Sequence, residues 1–258
     1  MLRKHQKWGV RYLEFTEGIS ASDLAPYRDI IDRIAADFGV TIRINASFSR
    51  WSTTEDQNTK SDAILEIQNP LVVGIDLLAN EEGAPALEKG QVPYARILGE
   101  VLHEKSTLHR TMHAGELGDA RNPRDAMILG AERLGHGVKL ADDPVATEFA
   151  RSHGVAVEVN LTSNQRLRVV EDIRNHPFLS QLRLGIPVSL STDDEGIFET
   201  NIAADCEKAV SLTDVQFSEM KAMSLNSIKT SFLPAPEKAR LLDLVEADLA
   251  KFVTEWQQ

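Results

Sequence analysis

Short apolar runs alternate along this chain with segments whose apolar residues recur at helical spacing. The run at 71–78 is almost continuously apolar, as strands buried within a parallel sheet are. Because helical patterns separate the runs, the order indicates β–α–β units. The runs that predict strands begin near residues 9, 40, 71, 107, 133, 155 and 187.

The segments between these strands predict helices and loops. Residues 144–153 form a helix closed by Gly154, and residues 176–185 form another. The polar residues 47–61 predict a loop. After residue 196 the pattern is wholly helical, and the last helix sets one apolar face toward the rest of the protein: Leu241, Val245, Leu249, Phe252 and Trp256.

The strand count defines the predicted fold. A closed (β/α) barrel needs eight strands and runs to about 250 residues. This chain of 258 residues predicts a TIM-type (β/α) barrel with seven of the eight strands, the first one missing, and with C-terminal helices. We expect residues 1–258 to form a single domain, since neither a repeat nor a linker divides them. Two open sheet edges predict self-association by pairing with another chain.

Composition narrows the class of partner. The net charge of −11 argues against nucleic acid as a partner, because such binding needs clustered Lys and Arg. No stretch approaches the roughly 20 apolar residues of a membrane span, so we expect a cytoplasmic location. Cys206 is the only cysteine, which excludes an internal disulfide and the Cys-containing zinc site of cytidine-type deaminases. A neutral or cationic small molecule is the expected ligand.

Histidine and carboxylate side chains follow the ends of three predicted strands. They are His113, Glu116, His136, Asp193 and Asp194. Seen singly, each has a simpler interpretation as a loop histidine, a helix cap or a solvated turn. Together they fall where a barrel gathers strand ends around one mouth. Imidazole and carboxylate are suitable ligands for Zn²⁺ or a related ion, which makes water nucleophilic near neutral pH.

The remaining polar candidates receive structural interpretations. His109 and His113 share a strand face, but about 13 Å of strand separates them, so one ion cannot bind both. His103-Glu104 lacks the second His of a helical zinc-protease motif. We expect Asp76 to cap a neighbouring loop and Asn164 to stabilise a turn. Three histidines are assigned to the surface: His5, His153 and His176.

Four ordered motifs resemble the adenosine deaminase family. They are His-Ala-Gly-Glu at 113–116, Arg-Leu-Gly-His-Gly at 133–137, Leu-Thr-Ser-Asn at 161–164 and Ser-Thr-Asp-Asp at 191–194. The resemblance implies a zinc-dependent barrel that hydrolyses the 6-amino group of adenosine or a similar purine nucleoside. His113 and Asp193 would ligate one Zn²⁺, and Glu116 would protonate the ring nitrogen beside the attacked carbon.

The resemblance also implies roles for His136, Asp194 and Ala79. His136 would orient and help deprotonate the attacking water, Asp194 would hydrogen-bond to water and base, and the strand end at Ala79 would lie against the substrate. The family's first strand carries His-x-His, which supplies two more zinc ligands, and this chain contains no such motif. It begins at what resembles the second strand. Ala79 stands where the family usually has Gly, and Glu195 where familiar members have Pro.

Two alternatives stay open at this point. The chain is either an adenosine-deaminase-like hydrolase or a non-catalytic barrel relative that binds a nucleoside or a protein partner. Glu116 and His136 together favour the hydrolase, since a binding module has no need of both. If the chain is a hydrolase, the expected substrate is adenosine, another aminopurine or a modified nucleoside.

Overall fold

A computed structural model describes residues 7–18, 24–66, 70–84, 99, 101–104 and 107–256. Its seven strands form one sheet in chain order, and every adjacent pair is parallel. The predicted seven-stranded half-barrel is therefore confirmed. The strands are β1 (Tyr12–Glu17), β2 (Thr41–Ser49), β3 (Val72–Leu78), β4 (His109–Ala114), β5 (Arg133–His136), β6 (Ala156–Val159) and β7 (Val188–Leu190).

Helices connect and cover the strands. They are α1 (Leu24–Phe38), α2 (Thr54–Glu66), α3 (Leu102–Glu104), α4 (Arg121–Ile128), α5 (Pro144–His153), α6 (Leu161–Arg166), α7 (Phe178–Arg183), α8 (Glu195–Phe198), α9 (Ile202–Leu212), α10 (Phe217–Lys229) and α11 (Ala235–Trp256). Two 3₁₀ turns lie at Val138–Asp142 and Ile173–Asn175. The helix predicted at 144–153 is confirmed, with Gly154 left-handed after it.

Two local predictions were wrong. The loop predicted at 47–61 is instead the end of β2 followed by α2. Its polar sequence forms a helix because Thr53 and Asp56 cap the helix start, each side chain accepting a hydrogen bond from the other's backbone N–H. The strand predicted at 155–161 ends at Val159, and the Leu-Thr-Ser-Asn motif opens α6.

Hydrogen bonds across the sheet demonstrate its curvature. Glu14 of β1 accepts hydrogen bonds from Asn45 of β2 and from Arg133 of β5, although β1 and β5 are not neighbours in the sheet. Arg133 also pairs with Glu158 of β6 at 2.9 Å. Such contacts require a sheet that curls until its first strand faces its fifth. The concave face therefore carries a buried network of polar side chains.

The apolar core lies on the other side of the strands. Alternate residues such as Ile42, Ile44, Leu134 and Val157 are buried against the surrounding helices. Because side chains alternate along a strand, this face leaves the polar residues of each strand on the concave side. The sheet is thus fixed outside by packing and inside by hydrogen bonds.

The segment after α10 closes the amino-terminal end of the half-barrel. The Phe232 ring stacks on His109 at 4.7 Å, and the Arg133 guanidinium lies 3.6 Å from its centroid. Beyond it, Leu241 is buried as predicted. Phe252 is half exposed and stacks on the equally exposed Phe217, so the predicted packing face of α11 weakens toward its end.

Both outer strands have one partner each among the described residues. β1 pairs with β2, and β7 pairs with β6, and no ladder between β1 and β7 is found in this part of the chain. A search of the described helices finds none that combines the length and apolarity needed to cross a membrane. The predicted pairing of the open edges with another chain stays a prediction.

Candidate active site at the carboxyl end of the strands

Four predicted residues converge at the carboxyl end of the sheet. His113 lies near the end of β4, His136 ends β5, and the rings of these two histidines are 5.1 Å apart. Glu116 Oε1 lies 3.5 Å from His136 Nδ1, and Asp193 Oδ2 lies 3.8 Å from His136 Nε2. The parallel register explains this convergence, because it aligns the strand ends at one rim.

The His113 ring is held by a buried carboxylate. Its Nδ1 lies 3.1 Å from Asp76 Oδ1, and the other Asp76 oxygen accepts a hydrogen bond from Thr16 at 2.8 Å. Burial disfavours the charged imidazole, but the charge and hydrogen bond of Asp76, together with the charges of Glu116 and Asp193, outweigh it and raise the pKa of His113 to about 9. A carboxylate on one ring nitrogen is typical of histidines that bind metal through the other.

A glycine makes room for this ring. A Cβ at Gly135 would lie 3.3 Å from both the Cα and Nδ1 of His113, closer than ordinary packing. Gly135 therefore makes room for a side chain of the neighbouring strand β4 rather than forming a turn.

Glu116 occupies a buried position between like charges. Burial, together with the nearby carboxylates of Asp193 and Glu81, raises the pKa of Glu116 to about 7, although His113 acts in the opposite direction. Near neutral pH a large fraction of this side chain is protonated. It is therefore suited to donating a proton.

One carboxylate fixes the loop that carries Glu116. Glu81 accepts hydrogen bonds from the backbone N–H groups of Gly115, Glu116 and Gly118 at 2.7, 3.1 and 2.7 Å. The buried Arg50 guanidinium lies 3.8 Å from the same carboxylate and also donates to the His113 carbonyl. Glu81 thus ties the end of β3 to the loop after β4.

His136 and Asp193 share an unusual backbone conformation. Their φ angles are 65° and 56°, in the left-handed region that few residues other than Gly adopt. Strained backbone held by its surroundings is common at functional sites. Around them, Asn164 Nδ2 lies 2.9 Å from His136 Nδ1, and the Ser163 hydroxyl donates to Asp193 Oδ2 at 2.7 Å.

The two remaining predicted residues lie beside this cluster. Asp194 is exposed directly after Asp193, at the N-cap position of α8, where its side chain makes no capping hydrogen bond. Partial burial of its carboxyl group and the charge of Asp193 raise the pKa of Asp194. Ala79 is half-buried directly after β3.

The described residues fit one side of a metal site. Ligand atoms of Glu116, His136 and Asp193 all lie within 4.8 Å of one another. That group omits His113, but the bond to Asp76 gives His113 the environment of a metal ligand, with Nε2 as the donor atom. Binding an ion there would displace the proton from Nε2.

Several residues of the site were missed or misread in the sequence. His176, assigned to the surface, is buried and bonded to Asn164, so that prediction was wrong; His153 is exposed as predicted, and His5 lies outside the described residues. Asp76, predicted to cap a loop, contacts His113, and Asn164, predicted to stabilise a turn, contacts His136. Only Asp76 carried a usable signal, since a charge within a continuous apolar strand needs a buried partner.

Fold and site together define a barrel-type centre of histidines and carboxylates at the strand ends, and comparison identifies the family. The adenosine deaminase family profile matches residues 5–248, so this chain belongs to that family. An adenosine deaminase from Pectobacterium atrosepticum is 33% identical over 221 residues, which cover 84% of this chain and 63% of that protein. This chain thus spans less than two thirds of the relative's length.

Solved structures share the architecture. The crystal structure of an adenine deaminase from Arthrobacter aurescens superposes with a TM-score of 0.84 at 26% identity, covering 96% of this chain and 77% of that one. An amidohydrolase from Burkholderia ambifaria with bound Zn gives a TM-score of 0.81 at 22% identity, covering 97% and 73%. The latter likeness establishes the fold alone.

Ala79 supplies a direct test of backbone strain at this rim. Its φ of 81° costs an L-residue about 1–2 kcal/mol that glycine avoids. We expect Ala79→Gly to raise the free energy of unfolding in urea by up to about 1 kcal/mol, since glycine also loses more chain entropy on folding. Gly154→Ala, at φ 68° in open surroundings, is the reciprocal control and should destabilise by a similar amount. A destabilised Ala79→Gly protein would contradict the argument.

Proposed function

We propose that this chain carries the catalytic groups of a zinc-dependent hydrolase that releases ammonia from adenosine or a related aminopurine. The observation that supports this best is the convergence of Glu116, whose pKa is raised, with His113, His136 and Asp193 at one rim of the sheet. A proton donor, an imidazole pair and a carboxylate are what hydrolysis of an aromatic amidine requires.

Each group has a proposed role. His113 and Asp193 would hold the zinc ion, which when bound supplies Lewis-acid activation of water near neutral pH. Glu116 donates its proton to the ring nitrogen beside the attacked carbon, so that the ring accepts electrons as water adds. Water adds at the amino-bearing carbon, one of its protons passes to the amino group and the other returns to Glu116, and the amino group leaves as ammonia as the carbonyl forms.

The remaining groups orient the reactants. His136 faces Asp193 across the pocket and contacts the attacking water. Asp194, exposed at the rim with a raised pKa, hydrogen-bonds to that water and to the purine. Ala79 presents the end of β3 to the substrate. Relatives named adenosine deaminase and adenine deaminase support two substrates, the nucleoside and the free base. We place this activity in the cytoplasm.

The decisive test is ammonia release from purified protein loaded with Zn²⁺, measured for adenine, adenosine and other aminopurines. Release from at least one substrate is expected. If saturable binding of a nucleoside occurs without ammonia release, the non-catalytic binding function replaces this proposal. That alternative is favoured by the ligand set among the described residues, where His113 and Asp193 are the two ligands proposed, because fewer ligands bind zinc more weakly.

Asp76 makes the metal role of His113 testable without turnover. Asp76→Asn keeps the size of the side chain but removes the charge that holds His113 Nδ1. The Zn²⁺ affinity should fall about 10–100-fold, as for other residues that orient a histidine ligand. A competition titration against a chromophoric chelator measures it, with the exposed Asp142→Asn as control. Equal affinities of Asp76→Asn and the parent chain would remove His113 from the ligand set.

A further inference from the structure

A chain of hydrogen bonds leads away from the active site behind His136. The backbone N–H of Phe178 donates to His176 Nδ1 at 3.2 Å. His176 Nε2 lies 3.1 Å from Asn164 Oδ1, and Asn164 Nδ2 lies 2.9 Å from His136 Nδ1. All four residues are buried. The chain therefore joins α7 to the end of β5 through α6.

The direction of this chain follows from its fixed end. A backbone N–H can only donate, so His176 Nδ1 must accept and the ring proton lies on Nε2. His176 Nε2–H then donates to Asn164 Oδ1, which turns the Asn164 amide nitrogen toward His136. Because an NH₂ group can only donate, His136 Nδ1 must accept. A neutral His136 consequently carries its proton on Nε2.

The opposite direction is excluded by the same contacts. A proton on His136 Nδ1 would require Asn164 Oδ1 to face it and Asn164 Nδ2 to face His176. His176 would then carry its proton on Nδ1, and that N–H would point at the Phe178 N–H 3.2 Å away. The other neighbours of His136 Nδ1, Asn160 Nδ2 at 3.2 Å and Glu116 Oε1 at 3.5 Å, both lie farther from it than Asn164 Nδ2.

Burial keeps the His176 ring in the neutral state that this chain of hydrogen bonds needs, because it lowers the pKa of His176 to about 4. A charged His176 would have two donors and could not accept from Phe178.

We propose that His176 and Asn164 are positioning residues that fix His136 as the tautomer with its proton on Nε2, so that His136 is a hydrogen-bond donor in the active site. Nε2 lies 3.8 Å from Asp193 Oδ2, beyond hydrogen-bond distance, so this N–H can donate to an oxygen atom of a bound ligand. This differs from the proton-accepting role implied by the sequence resemblance. What the donor does rests on the proposed function; its tautomer does not.

The tautomer is read directly by long-range ¹H–¹⁵N correlation spectra of ¹⁵N-histidine-labelled protein. The chain contains seven histidines, and the His136 signals are assigned by their loss in His136→Gln. We expect a protonated Nε2 and a bare Nδ1. A proton on Nδ1 of the parent protein overturns the proposal, and this result requires no variant of the relay to fold.

Two substitutions test the relay itself. In Asn164→Asp a carboxylate still accepts from His176 but now faces His136 with an acceptor, so His136 Nδ1 should gain a proton. His176→Phe keeps a ring but frees the Asn164 amide, so signals of both His136 tautomers are expected. The exposed His153→Phe is the matched control and should leave the His136 signals unchanged. An unaltered His136 spectrum in Asn164→Asp counts against the proposal.

Turnover separates this proposal from the proposed function. If ammonia is released, Asn164→Asp should lower kcat about 100-fold with little change in KM, the lower end of the range for loss of one preorganised donor. Absence of ammonia release with an Nε2-protonated His136 defeats the proposed function alone. Ammonia release with an Nδ1-protonated His136 defeats the tautomer proposal alone.

Discussion

Glu116→Gln is expected to lower the rate of ammonia release by about 10²–10⁴-fold, the range for loss of a general acid. Glutamine keeps the size and hydrogen-bonding capacity of the side chain but has no proton to give to the purine ring. Steady-state rates at saturating substrate measure the effect. The exposed Glu148→Gln on α5 is the control and should retain full activity. A Glu116→Gln enzyme with undiminished kcat would exclude Glu116 as the proton donor.

The pH dependence of activity also tests whether Glu116 is the proton donor. Glu116 must be protonated to act, and its pKa is about 7 in the free protein. The acid form predominates below this pH, so kcat/KM should fall as pH rises through about 7 if this group controls the alkaline limb. That limb should be absent from any residual activity of Glu116→Gln.

The stability of Glu116→Gln relative to the parent chain should rise as pH rises. The pKa of Glu116 is raised from 4.5 to about 7 by folding, so protonation stabilises the folded state fully below pH 4.5, and this contribution is lost as pH rises through 7. Glu116→Gln should therefore gain stability relative to the parent chain as pH rises, by about 3 kcal/mol at most at pH 8. Urea unfolding of the metal-free proteins at pH 5 and pH 8 measures it.

Glu81→Ala should cause the largest loss of stability, about 3–5 kcal/mol. The substitution leaves the buried N–H groups of Gly115, Glu116 and Gly118 without their acceptor and removes the carboxylate beside the buried Arg50. Each unsatisfied buried group costs about 1–3 kcal/mol, although relaxation of the loop recovers part of this.

The matched control for Glu81→Ala is the next residue. Glu82 is exposed, and Glu82→Ala should change the free energy of unfolding by less than about 0.5 kcal/mol. Glu81→Gln should fall between the two, because it keeps one acceptor oxygen. Urea denaturation at pH 7 distinguishes the three. If Glu81→Ala and Glu82→Ala were equally stable, the loop would not depend on this carboxylate.

The order and type of the strands could be predicted because they follow from local pattern. Parallel strands buried by helices have apolar runs, and each of the seven runs became a strand at nearly the predicted place. Predictions failed where polar sequence took regular structure. Residues 54–66 form a helix through a cap between Thr53 and Asp56, and such a sequence resembles a loop until the capping pair is noticed.

Only part of the candidate site could be predicted from the sequence. The strand-end rule alone brought His113, Glu116, His136 and Asp193 to one rim, because parallel register aligns strand ends whatever the loops do. The residues that orient them come from elsewhere in the chain. Glu81, Asn164 and His176 lie in loops and short helices, where no periodic pattern reports which side chain is buried.

Sequence by itself determined the class of fold, the family and the set of candidate site residues, since these depend on residue types at spacings that any parallel barrel would preserve. Tertiary structure alone decided the properties of those groups. Burial and neighbouring carboxylates set the pKa of Glu116, Asp76 orients His113, and a backbone N–H on α7 fixes the direction of the hydrogen bonds that reach His136. The reason is that charge and proton position depend on distances and solvent exclusion between residues far apart in the chain.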